Sequence, residues 1–141
     1  MSGAISMIGE VQQAIHTKLG SSVVLNGAAV PVKANLSKNT VPPYIVLDPM
    51  TEVPDNRADT QGSQVTVTVQ LVTRGDGYFR YADVNSGISQ IRALLEIQTI
   101  KYAGASGELW ACLLEMNERL ADPDGETLRG IMRYRVYVDG L

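Results

Sequence analysis

Ten residues, Gln64-Val65-Thr66-Val67-Thr68-Val69-Gln70-Leu71-Val72-Thr73, alternate between apolar and polar with the two-residue period of a strand. Val65, Val67, Val69 and Leu71 fall on one face, while Thr66, Thr68 and Gln70 fall on the other. β-branched side chains fill most positions and suit a pleated surface. Burying the four apolar chains is worth roughly 1.5–3 kcal/mol each. A slip of one residue would carry threonines into the core. The stretch predicts a long central strand of firm register with a core on one side.

Such a strand needs a layer to cover it, and the flanking sequence offers two helices. Ile5, Ile8, Val11, Ile15 and Leu19 recur at spacings of three and four, drawing one apolar stripe. Ser2 or Ser6 is placed to cap this helix, and Gly20 to end it in the left-handed conformation. Asp83 is placed to cap a second helix with Val84, Ile88, Ile91, Leu94 and Leu95 on one side, ending near Ile97. Gly87 inside it costs about 1 kcal/mol against alanine, so close packing or fraying is expected near that end.

The remaining segments read as strands and turns. Val23-Val24-Leu25 and Ala28-Ala29-Val30 flank Asn26-Gly27, the pair best suited to a two-residue hairpin turn. Lys33 to Pro42 is polar and broken and reads as a loop. Pro42-Pro43 opens a short strand, Tyr44-Ile45-Val46-Leu47. Asp48 to Gly62 reads as a long polar loop, and loops above about 12–15 residues in compact domains are usually functional or mobile. This loop, with Glu52, Asp55, Arg57 and Asp59, is the leading candidate for a partner-binding arm.

Arg74-Gly75-Asp76-Gly77 reads as a turn, Thr99 to Ala103 as a short strand, and Gly104 to Gly107 as another turn. Leu109–Arg119 and Leu128–Val138 are extended runs joined by Asp122-Pro123-Asp124-Gly125, which has turn chemistry. In the last run Met132, Tyr134, Val136 and Val138 face one way, with Arg133, Arg135 and Tyr137 facing the other. Strands joined in sequence by turns give an α+β domain of two layers: a mainly antiparallel β-sheet with two helices packed on one face.

At 141 residues the chain is expected to form a single domain, residues 1–141. A chain of that size buries about 68–70% of its surface. It is 45% hydrophobic and only 19% charged, which leaves surface for protein contacts. A net charge of −3 argues against a dedicated DNA or membrane-surface binder. No apolar run approaches the roughly 18–20 residues of a membrane span. Cys112, the single cysteine, reads as a small buried hydrophobe. With no basic region and hydrophobic block at the N-terminus, a reducing cytoplasm is the expected compartment.

Catalytic chemistry finds little support. His16 is the only histidine and has no zinc-ligand spacing to Cys112, so a structural or boundary role is expected. No serine sits in a nucleophile elbow, and Gly75-Asp76-Gly77 is followed by Arg80 where a dinucleotide fingerprint needs its third glycine. No Walker motif occurs. Asp122, Asp124 and Glu126 invite a calcium reading, yet an EF-hand spreads more ligands over a dozen residues. A solvated hairpin tip accounts for them better. Arg129, Arg133 and Arg135 are expected to pair across strands with Glu115, Glu118 or Asp139. No enzyme activity, cofactor or metal is expected.

By the closing hairpin a family pattern emerges. The chain resembles the tail-completion or tail-terminator (head-tail joining) proteins of long-tailed bacteriophages and prophages. The resemblance runs from the N-terminal helix through Pro43-Tyr44-Ile45-Val46-Leu47, the acidic-polar loop and the long alternating strand. It continues through the helix carrying Ile88, Ile91 and Leu94-Leu95, and closes with Asp122-Pro123-Asp124-Gly125-Glu126-Thr127 leading into Arg129-Gly130-Ile131-Met132-Arg133-Tyr134. Asn85-Ser86-Gly87 and the Asn26-Gly27 hairpin depart from the family's usual pattern.

The resemblance implies a structural virion protein at the head-proximal end of the tail, assembled in the host cytoplasm. Its partners would be copies of itself in a ring, a hexamer by analogy, together with the tail tube protein and the head connector or neck protein. DNA would pass through the lumen without specific binding. The candidate contact residues are Glu52, Asp55, Arg57 and Asp59 on the long loop and Asp122, Asp124 and Glu126 at the hairpin tip. Another neck adaptor, a tail-tube subunit or a small-ligand α+β module are the alternatives.

Overall fold

The computed structural model describes residues 8–33, 40–54, 62–96, 99–101 and 109–139. Its elements run α1 (Ile8–Leu19), β1 (Val24–Leu25), β2 (Ala28–Ala29), β3 (Val32–Lys33), β4 (Tyr44–Pro54), β5 (Gly62–Arg74), α2 (Tyr81–Leu95), β6 (Thr99–Lys101), β7 (Leu109–Ala121) and β8 (Thr127–Asp139). A six-stranded sheet has the order β3-β4-β5-β8-β7-β6. All its pairs are antiparallel except β3 with β4. This is the expected α+β fold.

The alternating run forms β5, which pairs with β8 along its whole length, from Gly62 opposite Asp139 to Arg74 opposite Thr127. Val65, Val67, Val69 and Leu71 are fully buried beneath the helices. Met132, Tyr134 and Val136 of β8 lie beside them. Val11, Ile15 and Leu19 of α1 and Val84, Ile88, Ile91 and Leu95 of α2 close this core. The opposite sheet face is not wholly bare. Tyr44, Val46 and Val72 form a small second cluster there, so protection is less one-sided than the alternation implies.

Asn26-Gly27 makes the expected hairpin turn between β1 and β2, with φ of 53° and 80°. Two positive φ values match the right-handed twist of the flanking strands. Gln90 of α2 clamps this hairpin: its Oε1 accepts the Val24 N–H at 2.7 Å and its Nε2 donates to the Val24 carbonyl at 2.8 Å.

Several expectations need correction. The loop expected from Asp48 to Gly62 is much shorter, because β4 continues to Pro54 and pairs with β5 as far as Ser63. The register moves from Leu47 opposite Val69 to Met50 opposite Val67, so a bulge at Asp48-Pro49 takes up one extra residue. Gln70 Nε2 donates to the Asp48 carbonyl at 2.7 Å, so that acceptor is satisfied at the bulge. Proline and aspartate suggested a loop, whereas a bulge absorbs both. Val32–Lys33, overlapping the expected 33–42 loop, forms a short parallel strand against Ile45 and Val46.

Gly20 does not end α1 in the left-handed region. Its N–H still donates to the His16 carbonyl at 2.8 Å, and Ser21 takes the positive φ of 60°. Asp83 does not cap α2, which begins at Tyr81 after Arg80. It lies in the first turn instead, where its carboxylate meets Arg80 at 3.5 Å and complements the helix dipole. The helix ends at Leu95. Ser2, Ile5, Ser6, Ile97 and the expected turn at Gly104–Gly107 lie outside the described residues.

Glycines set the distance between the layers. A Cβ on Gly87 would approach Leu71 Cδ2 to 2.3 Å, which is the close packing that a glycine inside a helix suggests. Gly130 of β8 lies beneath the same helix, and a Cβ there would meet Ile88 Cδ1 at 2.3 Å and Val84 Cγ2 at 3.0 Å. Gly130→Ala is therefore expected to destabilise the fold by about 1–3 kcal/mol, the usual cost of overpacking a core. Urea unfolding checks this, and an unchanged midpoint would show that α2 lifts from the sheet freely.

Candidate functional site

The β7–β8 hairpin tip is built from its carboxylates. Asp122 N–H donates to the Thr127 carbonyl at 2.9 Å and Gly125 N–H to the Asp122 carbonyl at 3.3 Å, with Gly125 at a φ of 80°. Asp124 Oδ1 accepts the N–H groups of Glu126 and Thr127 at 2.9 and 2.8 Å, and Oδ2 accepts the Thr127 hydroxyl. These bonds, the Thr127 hydroxyl first, hold the Asp124 carboxyl down at about 2. Asp122 Oδ1 receives Arg129 Nε at 3.1 Å, which raises the guanidinium above its ordinary value.

The tip is also tied to the turn between β5 and α2. Gly75 N–H donates to the Glu126 carbonyl at 2.8 Å, and Gly77 N–H to Glu126 Oε1 at 3.3 Å. The expected contact residues Asp122, Asp124 and Glu126 thus sit at one end of the sheet and are internally bonded. Glu52 lies on β4 opposite Val65, half-buried, towards the other end. Asp55, Arg57 and Asp59 lie outside the described residues. Glu52 and the hairpin tip are not brought together. β5 spans the sheet between these ends, about 40 Å at the usual rise per residue.

The remaining candidates occupy ordinary structural places. His16 is exposed on α1 and lines a groove with Gly9, Gln12, Gln13, Lys33 and Leu47. Cys112 is buried, and burial pushes its thiol up to about 12, far from a reactive thiolate. Among the described residues no cluster of three or more His, Cys, Asp or Glu could hold a metal ion. None of their helices is long and apolar enough to cross a membrane. Arg135 pairs with Glu115 as expected, while Arg129 takes Asp122 rather than a residue of the anticipated set.

Two features escaped the sequence reading. Tyr134, fully buried, donates its hydroxyl to Glu96 Oε2 at 2.9 Å, and Arg92 Nε meets the same carboxylate at 2.7 Å. The Arg92 hydrogen bond lowers the Glu96 carboxyl, while burial foremost, then Glu96, raises the Tyr134 hydroxyl. Only the four-residue spacing of Arg92 and Glu96 signalled this link. The second is aromatic: Tyr78 and Tyr81 stand 58% and 49% exposed beside the hairpin tip, with Phe79 edge-on to Tyr81 at 6.3 Å. Three aromatic residues within Tyr78–Tyr81 were a legible signal.

A chain described as "Virion of native gene transfer agent (GTA) particle" shares the fold with a TM-score of 0.71 at 16% identity. The match covers 97% of this chain and 100% of that one. No curated protein matches the sequence. The family model for tail completion protein gp17 matches residues 13–139, nearly the whole length, and the chain belongs to that family. It is a structural protein of a phage-type virion tail.

Two stability tests follow from these bonds. A carboxyl held low in the folded state stabilises the fold above its unfolded value, near 3.9. That contribution disappears as pH falls towards about 2. Asp124→Asn is expected to lower the thermal midpoint at pH 7 and to flatten this acid limb; thermal scans from pH 7 to pH 2 check both. Tyr134→Phe removes a hydrogen bond to a partly exposed carboxylate and is expected to cost about 1–2 kcal/mol. Urea titration measures that cost, and a value near zero would assign the hydroxyl no role.

Proposed function

We propose that this chain completes the tail by capping the head-proximal end of the tail tube and joining it to the head connector. Copies associate head-to-tail into a closed ring, six by analogy with the family, and the genome passes through the lumen. The work is mechanical, and no reaction is performed. Head-to-tail contacts close into a ring when the rotation between neighbours divides a full turn.

The observation that carries this reading is the fully paired strand β5, with the braced Asp122–Glu126 hairpin tip at its Arg74 end and Glu52 of β4 opposite Val65, towards its Gly62 end. A subunit that joins unlike neighbours needs two chemically distinct ends held at a fixed distance, and a fully paired central strand supplies such a spacer. One end presents Asp122, Asp124 and Glu126 on a hairpin braced by its own hydrogen bonds. Towards the other end, Glu52 lies on β4, and Asp55, Arg57 and Asp59 follow that strand in sequence. Pairing of Arg129 and Arg135 with carboxylates reduces the positive charge available to DNA phosphates, which suits free passage.

The triple variant Asp55→Ser, Arg57→Ser, Asp59→Ser tests the loop end. The protein is expected to fold with an unchanged thermal midpoint. Cells carrying only this variant should accumulate separate heads and tails rather than virions, counted by electron microscopy and plaque titre. Normal virion yield would remove these residues from the contact.

A further inference from the structure

The geometry points to a knob-and-groove contact between copies of this chain, with Tyr78 and Tyr81 as the knob and the α1–β3 groove as its receptor. This rests on the ring reading and names the surfaces that would meet. The knob is a pair of tyrosines, 58% and 49% exposed, on the segment entering α2. Large exposed aromatic side chains are the residues most often found at the energetic centre of interfaces.

The knob is also pre-organised. A Cβ on Gly75 would meet the Tyr78 carbonyl oxygen at 1.9 Å, so only glycine lets the chain fold back there. Gly77 takes a φ of 81°, and its N–H is held by Glu126 Oε1. Phe79 packs against the core and lies edge-on to Tyr81. A side chain fixed before binding loses less conformational freedom on docking.

The receptor is a groove of about 320 Å³ lined by Gly9, Gln12, Gln13, His16, Lys33 and Leu47. It offers a glycine floor, an apolar wall, two amides for a phenol hydroxyl, and a lysine. Among the described side chains no carboxylate lines it. The knob lies in acidic surroundings: residues 74–83 and 122–129 carry five carboxylates against three guanidinium groups, a balance of −2. Opposite charge therefore favours knob against groove over knob against knob. The knob sits where β5 ends and the groove beside the β3–β4 edge, so the contact is heterologous and propagates from copy to copy.

Sedimentation velocity on the full chain tests the contact with two complementary variants. Tyr78→Ala, or Asp76→Lys as a second knob variant, removes one side, and Lys33→Glu removes the other. Each alone is expected to weaken self-association at least tenfold while circular dichroism and the thermal midpoint stay unchanged. An equimolar mixture of Tyr78→Ala and Lys33→Glu should recover dimers and nothing larger, because one intact knob meets one intact groove. Raising salt should weaken the wild-type oligomer. Variants that assemble like the wild type would overturn the contact and leave the ring reading standing. A wild type that stays monomeric, both at its highest soluble concentration and on purified tube ends, would remove both.

Discussion

The register of β5 is the constraint on which the rest of the structure depends. Its alternating side chains place four fully buried aliphatic residues on one face, and its backbone is paired on both sides by β4 and β8. Displacing it by one residue would bury threonines and expose valines, so the register holds both neighbouring strands in place. Gly87 and Gly130 then let α2 lie close on that sheet, where any larger side chain would strike Leu71 or Ile88. The end-to-end distance of the subunit follows from this one pairing.

The polar ends derive their order from the same frame. Arg74, the last residue of β5, lies opposite Thr127, and this brings the β5–α2 turn against the β7–β8 hairpin. Glu126 then bonds across that junction to Gly75 and Gly77, while Asp124 and Asp122 bond within the hairpin to Thr127 and Arg129 rather than waiting in solvent for a partner. Such carboxylates shape the surface that carries Tyr78 and Tyr81, whatever else they touch. Assembly proteins benefit from this arrangement, since rigid contact surfaces cost less entropy when neighbours dock.

Much of the fold was legible because its signals are local. The β5 alternation, the Asn26-Gly27 turn and the Asp122–Gly125 turn each depend on a few adjacent residues, and each matches the structure. The errors arose where tertiary pairing overrides local chemistry. Asp48-Pro49 looks like a loop, yet β5 supplies Gln70 to satisfy the bulge and β4 resumes at Met50. Val32–Lys33 is too short to announce itself and forms a strand only because Ile45 and Val46 are there to pair. The Tyr134–Glu96–Arg92 link joins residues 38 positions apart, beyond the reach of any pattern read along the chain. The hairpin tip was legible as a polar cluster, whereas the distance between it and Glu52 along β5 required the sheet.

The central claim is that this chain occupies one position, the end of the tail tube, as a joining subunit. Electron microscopy of purified tails, imaged before and after adding the protein, tests that claim most directly. The account predicts one ring-shaped density at a single end of each tube, and tubes that accept heads only once it is present. Density repeating along the tube wall, or tubes that accept heads equally well without the protein, would contradict it.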